Sequence, residues 1–288
     1  MLAAITILPA LGLFAFVNLI PILWAVSASF FEISAFSPEW IWNGTQNYVQ
    51  LFGSSAFWAS LGRSLVFAGG SVAVQLTFGI VVALLVNREF KYATLIRALA
   101  MLPYLIPTAV LGFIALWMGN SQFGIINQIL VQLGFITDPI AWFGNPDLAM
   151  IAVILTSSWK FSIFVTIMVL ARLQSIPEGL YEAATVAGAT PFQKFRDITL
   201  PNIKGVIFIV LLLRGVWMFN KFDIIYVLTQ GGPAGATTTS AIYAYNVAFV
   251  NTSLGQAAAV STVLFIMLAG AAAVYFYVFE PSQEVRVE

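Results

Sequence analysis

Residues 148–170 read LAMIAVILTSSWKFSIFVTIMVL, twenty-three positions with one ionisable side chain, Lys160. A helix needs roughly 20 mostly apolar residues to cross the hydrocarbon of a bilayer, and this stretch supplies them. Five others qualify, near Ala4–Phe30, Ser64–Val86, Pro103–Met118, Val206–Leu228 and Gln256–Phe279. The third is the shortest and carries Pro103 and Pro107, which membrane helices tolerate when neighbours satisfy the freed carbonyls. No stretch alternates with period two over the length of a barrel strand. The first span has no basic stretch before it and no small-residue cleavage site after it, so it reads as a span and not as a cleaved leader. The sequence predicts an all-α membrane protein with six transmembrane helices, residues 1–288 forming a single transmembrane domain.

Composition agrees. Of 288 residues 60% are hydrophobic and only 8% charged, and mean hydropathy is +0.94. A soluble domain carries about 25% charged residues to clothe its surface. Twelve Lys and Arg balance twelve Asp and Glu, so no basic excess points to nucleic acid. There is no Cys and no His, which removes disulfides, thiol nucleophiles, imidazole bases and Cys/His metal sites together. Any chemistry is left to carboxylates, Lys, Arg, hydroxyls and amides.

Cations between the spans predict the orientation. Arg88, Lys91 and Arg97 lie between spans two and three, Arg172, Lys194, Arg196 and Lys204 between spans four and five, and Arg286 after span six. The opposite loops hold Arg63 against Glu32, Glu39, Asp138 and Asp147. Both termini are expected to be cytoplasmic.

The longest cytoplasmic segment, about 172–205, has a pattern of its own. Pro177 opens a short helical run, Glu178 to Ala187, and Gly188 stands where a helix ends in a left-handed cap. A second run, Pro191 to Ile198, leads into Leu200-Pro201. The pattern predicts a helical hairpin, too polar to span and too apolar to float free. It is either a connector lying on the surface or a knob that docks into another protein.

Glu182-Ala183-Ala184, three residues, Gly188, nine residues and Ile198-x-Leu200-Pro201 resemble the EAA loop of ABC importer permeases. The resemblance extends along most of the chain, toward the carbohydrate-importer branch. It is carried by Leu8-Pro9-Ala10 with Pro21, Asn47-Tyr48 with Leu51-Phe52, and Arg97 with Leu102-Pro103-Tyr104 and Pro107. Phe123-Gly124-x-x-Asn127 and Ala149-x-x-Ala152 fit as well, as does Phe219 to Asp223 followed by Leu228 to Pro233. Many sugar permeases have Asp immediately before the loop glycine, where this chain has Ala187. The resemblance implies the fold of a type I importer permease in a prokaryotic plasma or inner membrane. It implies a coupling role for Glu182, Ala183, Ala184 and Gly188 in the groove of a cytoplasmic ATPase. Its implied partners are a second homologous permease, an ATPase dimer and an extracytoplasmic sugar-binding protein. No Gly-x-x-x-x-Gly-Lys-Ser/Thr loop occurs, so ATP and Mg belong on the partner ATPase and the chain itself is not an enzyme.

Ionisable groups inside a span are functional candidates by default. Lys160 lies in span four, and Arg214, Lys221 and Asp223 lie in the expected span five. Arg214, Trp217, Met218 and Lys221 fall at i, i+3, i+4 and i+7, one helix face. Ser157, Phe161 and Phe164 have similar spacing on span four, with Lys160 beside them. Rings beside hydrogen-bonding groups suit a sugar, although such aromatics also serve simply as packing or lipid-facing residues. By resemblance, the substrate residues are Ser157, Phe161, Phe164, Arg214, Trp217, Met218 and Lys221. Three cations against one anion point to a substrate with acceptor groups or negative charge. A rival reading is an ion-driven secondary transporter with Lys160, Arg214 and Asp223 as a relay. A membrane enzyme is disfavoured, because no intramembrane carboxylate pair is present to move protons.

Overall fold

The computed structural model describes residues 2–37, 39–88 and 91–279. Arg286 lies outside the described residues. Fourteen α-helices are described: α1 (Leu2–Phe14), α2 (Ile20–Ala28), α3 (Gln46–Gly53), α4 (Ser55–Val86), α5 (Ala93–Met101), α6 (Thr108–Met118), α7 (Ile125–Gln132), α8 (Pro146–Gln174), α9 (Glu178–Val186), α10 (Pro191–Lys194), α11 (Leu200–Phe219), α12 (Asp223–Thr229), α13 (Ser240–Tyr245) and α14 (Leu254–Val278). Five helical runs are long and apolar enough to cross a membrane: Ile7–Ala28, Ser55–Val86, Pro146–Gln174, Pro191–Phe219 and Leu254–Val278. The pair Ala93–Leu105 and Thr108–Met118, bent by 90°, makes six when counted as one broken span.

Proline explains where these runs deviate from a plain helix. Ile106 precedes Pro107 and is held extended, φ −65° and ψ 125°, because the following ring clashes with the helical conformation. Span three is therefore broken where the sequence predicted a continuous Pro103–Met118 helix. Two other prolines are accommodated without a break. Pro21 and Pro201 each lie two residues beyond a π-helical turn, Ala15–Leu19 and Phe195–Thr199. The wider turn makes room for a residue that has no N–H to give. Consequently Pro191–Phe219 is one helical run, not a separate hairpin helix followed by a span.

Two other boundaries differ from expectation. Helix α4 starts at Ser55, because the Ser54 hydroxyl accepts from the Phe57 N–H at 3.4 Å and caps it. Arg63, assigned to an outer loop from sequence, is thus helical. Span five ends at Phe219: Lys221 and Phe222 are not helical, and α12 begins afresh at Asp223, an acid in its first turn.

The chain divides into two compact units. One comprises Arg63–Thr238 with Ala272–Glu288. Its core helix is α8, with fifteen of twenty-nine residues buried, including Val153, Val165 and Val169. The polar Ser157, Ser158, Lys160, Ser162 and Thr166 are buried with them. Ala83, Val86, Leu170, Leu173, Ile203 and Val210 complete an apolar cluster around its C-terminal half. Close approach here requires glycine. A Cβ on Gly79 would stand 2.6 Å from Val165 Cβ and 2.8 Å from the Ser162 carbonyl oxygen.

The other unit comprises Met1–Gly62 with Thr239–Ala271. Phe31–Glu32 and Ile41–Trp42 form a short antiparallel hairpin after α2. Asn47, 3% exposed, donates to the carbonyls of Ser29 and Phe31 at 2.9 Å each and so holds the chain where it leaves the first span. The membrane-length run Ile7–Ala28 is exposed along most of its length, and its apolar surface is left for lipid or another chain.

The close packing of α4 on α8 can be tested by filling it. Gly79→Val is expected to destabilise the detergent-solubilised chain by about 1–3 kcal/mol through overpacking. Gly69→Ala, with no atom within 4 Å of the added methyl, is expected to leave stability unchanged or raise it by up to about 1 kcal/mol, since alanine is the better helix former. Thermal unfolding of the two variants checks both.

Candidate functional site

The seven residues expected to face a substrate come together in the larger unit, around a guanidinium. Arg214 of α11 is 2% exposed. Its Nε donates to Gln75 Oε1 of α4 at 2.8 Å, and its Nη2 points at Met218 Sδ, 3.8 Å away. The guanidinium carbon lies over three rings, 4.9 Å from the centroid of Phe161, 5.7 Å from Phe164 and 5.6 Å from Trp217. Phe164 and Trp217 meet edge to face at 5.3 Å. Met218 Sδ also receives Gln75 Nε2 at 3.3 Å and the Ser157 hydroxyl at 4.0 Å. The rings that sequence reasoning offered to a sugar are thus engaged with Arg214, and Trp217, 46% exposed, presents the most free surface.

Gln75 was missed. It is fully buried and supplies the one oxygen acceptor that Arg214 has among the described residues. A lone Gln within Val72–Phe78 was the available signal, since an uncompensated amide in an apolar run needs a partner.

The remaining polar groups fall into separate networks. Lys160 Nζ donates to the Ile106 carbonyl and, at 3.1 Å, to Thr108 Oγ1. It thereby satisfies a carbonyl freed by the break in span three. Lys221 pairs with Asp223 at 3.0 Å. Both ammonium groups also flank Phe161, at 5.3 and 4.3 Å from its centroid. The relay of the ion-driven reading is not joined, as no hydrogen bond links Lys160, Arg214 and Asp223 among the described residues. Trp217, Asn220, Lys221, Phe222 and Asp223 line an open depression beside this cluster.

The second group of candidates lies on α9. Its C-terminus closes as the sequence predicts: Gly188 has φ +75°, its N–H bonds the Thr185 carbonyl at 3.0 Å, and the Ala189 N–H bonds Ala184 at 2.9 Å. This paired arrangement satisfies the last carbonyls and demands a left-handed residue. Thr190 and Gln193 then form a reciprocal capping box that starts the next helix, and Lys194 Nζ reaches back to Thr185 Oγ1 at 2.7 Å. Tyr181 and Ile198 pack the hairpin onto the apolar cluster, and the Tyr181 hydroxyl bonds that of Thr199 at 3.0 Å. On the outer side Glu182, Ala183 and Gly188 are exposed and Ala184 is half-buried. Val186, 91% exposed, and Phe192, 69% exposed, stand near them and were not singled out from sequence.

Two motifs prove to be structural. Asn127 donates to the Asn120 and Ile140 carbonyls and accepts from the Ile140 N–H and the Trp142 indole, stapling the loop before α8. In the turn after α12, Thr237 and Thr238 hydroxyls bond the Gly232 and Gly231 carbonyls at 2.8 and 2.9 Å.

Residues 75–279 match the family model described as binding-protein-dependent transport system inner membrane component. The chain is 34% identical to the trehalose/maltose transport system permease protein MalF of Thermococcus litoralis over 278 residues, covering 96% of this chain and 93% of that one. It is 35% identical to the sulfoquinovosyl glycerol transport system permease protein SmoG of Agrobacterium fabrum, covering 96% and 89%. The fold matches a chain in the crystal structure of a bacterial ABC transporter that imports the acidic polysaccharide alginate. The TM-score is 0.81, with 24% identity and 96% of each chain covered.

The Arg214–Gln75 contact predicts a specific pattern of stabilities. Gln75→Leu leaves the buried guanidinium without its oxygen acceptor and should lower stability by about 1.5–3 kcal/mol. Adding Arg214→Met should recover part of that loss, because the pair is then replaced by apolar groups of similar length. Thermal unfolding of both single variants and the double variant reads the coupling.

Proposed function

Because this chain belongs to the family of binding-protein-dependent transport system inner membrane components, we propose that it is the sugar-translocating permease subunit of an ATP-driven importer. The relatives named for trehalose, maltose and sulfoquinovosyl glycerol support a sugar or sugar derivative as cargo. Its partners in this reading are a second homologous permease, a cytoplasmic ATPase dimer that holds ATP and Mg, and an extracytoplasmic sugar-binding protein. Both termini and the α9 hairpin face the cytoplasm, and the chain lies in a prokaryotic plasma or inner membrane.

The observation that carries the coupling role is the continuity of Pro191–Phe219. At one end of this run lies the capped hairpin with Glu182, Ala183, Ala184 and Gly188, and Val186 and Phe192 exposed beside them. Toward the other end lies Arg214 with its rings. Phe192 and Arg214 are twenty-two residues apart, about 33 Å at 1.5 Å per residue. A stiff helix transmits displacement over such a distance, whereas a flexible linker would absorb it. The small Ala183 and Ala184 let a partner approach α9 closely, Glu182 offers it a charge, and Tyr181 ties α9 to the core so that the hairpin moves with α11. ATP binding closes the ATPase dimer and draws the two hairpins together. The helices then expose the substrate residues, Ser157, Phe161, Phe164, Arg214, Trp217, Met218 and Lys221, to the outer side. Hydrolysis reverses the motion.

The test starts from the tagged chain purified from its own host. Wild-type chain is expected to bring down an ATPase and a second permease whose ATP hydrolysis rises with loaded binding protein. Gly188→Pro cannot adopt φ +75°, and Glu182→Lys inverts the charge offered to the partner. Each should abolish the stimulation while the chain remains membrane-inserted with its partner permease. Unchanged stimulation in both variants rejects the coupling role. Orientation is tested separately in this Cys-free chain: Gln283→Cys should react with an impermeant maleimide only after the cells are opened, and Asn43→Cys before.

A further inference from the structure

We propose that the Arg214 cluster takes a sugar bearing an anionic group, a carboxylate or a sulfonate, in preference to a neutral sugar. The proposal rests on the reading of this cluster as the substrate site.

Charge count is the first ground. Three cations, Arg214, Lys160 and Lys221, surround the single ring of Phe161, at 4.9, 5.3 and 4.3 Å from its centroid. Among the described residues one carboxylate is near, Asp223, and it is paired with Lys221 at 3.0 Å. The acceptors of Lys160 are a carbonyl and a hydroxyl, and the oxygen acceptor of Arg214 is an amide; all three are neutral. Two positive charges are left without an anion among the described residues. The next acid along α8 is Asp147, thirteen residues and about 20 Å from Lys160.

Unused hydrogen-bonding capacity is the second ground. A guanidinium has five N–H donors in a planar fork. In Arg214 one meets Gln75 Oε1, one points to a thioether, and the other three have no acceptor among the described residues, although the side chain is 2% exposed. Two oxygens of a carboxylate or sulfonate match that fork, as sugar hydroxyls do not. Access is the third ground. Trp217 and Lys221, which flank the cluster, also line the open depression with Asn220 and Asp223. Arg214 does not itself line the depression; a sugar ring placed there has Trp217 to stack on, and its acid reaches the guanidinium past that ring, which lies 5.6 Å from it.

A structural role alone, with Arg214 held by three rings and Gln75, predicts no discrimination between acid and neutral sugars. Binding of radiolabelled glucuronate and glucose to the importer complex in nanodiscs, without binding protein, separates the two. Glucuronate is expected to bind about tenfold tighter at low salt, the strength of one charge-assisted hydrogen-bond pair, and to lose this preference as ionic strength rises. Arg214→Met should abolish the preference and Arg214→Lys should keep part of it. Asp223→Asn removes the one anion at a half-exposed position, where folding is not at stake, and should increase the preference. Equal binding of the two sugars, or a ratio unmoved by Arg214→Met and Asp223→Asn, overturns the proposal and leaves the sugar importer standing. Failure of the wild-type complex to bind either sugar overturns the substrate-site reading and the proposal with it.

Discussion

In the hydrocarbon of a bilayer a freed backbone carbonyl has no water to turn to, and this constraint organises the larger unit. Several backbone carbonyls near helix ends and breaks are met by side chains from elsewhere. The break before Pro107 frees the Ile106 carbonyl, and Lys160 of α8 crosses to it. Arg97 donates to the Val86 carbonyl at the end of α4, and Arg172 to that of Asn202 near the start of α11. Tyr275 donates to the Phe208 carbonyl at 2.7 Å. Cations that count toward orientation in the sequence therefore also act as caps. At Pro21 and Pro201 the helix widens into a π turn and does not break, and Asn202 donates to the Ile198 carbonyl beside the second at 2.7 Å.

Arg214 answers a different demand. A buried cation in an apolar unit is expensive, and a neutral amide with three ring faces offsets only part of that expense. An interaction that merely held helices together would be met as well by leucine. The arrangement fits a group kept ready for something that arrives from outside, and its position on the run that begins at the capped hairpin joins the two ends of the proposed mechanism. In the proposed mechanism the same helical run meets the partner ATPase at its Pro191 end and carries the guanidinium toward the other.

Several motifs quoted for their resemblance now have physical explanations. Asn47 and Asn127 each hold two carbonyls of neighbouring loops, and a Cβ on Gly124 would lie 2.4 Å from the Asn120 carbonyl oxygen. Gly188 is required by its left-handed backbone. These positions were legible as motifs but not as functions, because a spacing pattern does not say which backbone atoms it will meet. Val186 and Phe192 were not legible as site residues, and Gln75 was legible only as an amide in need of a partner. Their importance comes from what lies opposite them or fails to, which is a property of packing.

The amino-acid sequence alone determined the solvent, the class of fold and the hairpin. Long apolar runs with 8% charge have only the bilayer to go to, and Pro177, Gly188 and Pro191 act through local backbone geometry that needs no tertiary partner. Tertiary structure decided which side chain meets the carbonyl freed where span three breaks, where span five ends, that the second half of the loop joins α11, and which of the cations are paired. Those outcomes depend on whether a carbonyl or a guanidinium finds an acceptor or donor on another helix. Lys160 and Ile106 are fifty-four residues apart, and Arg214 and Gln75 one hundred and thirty-nine, distances over which sequence periodicity carries no information.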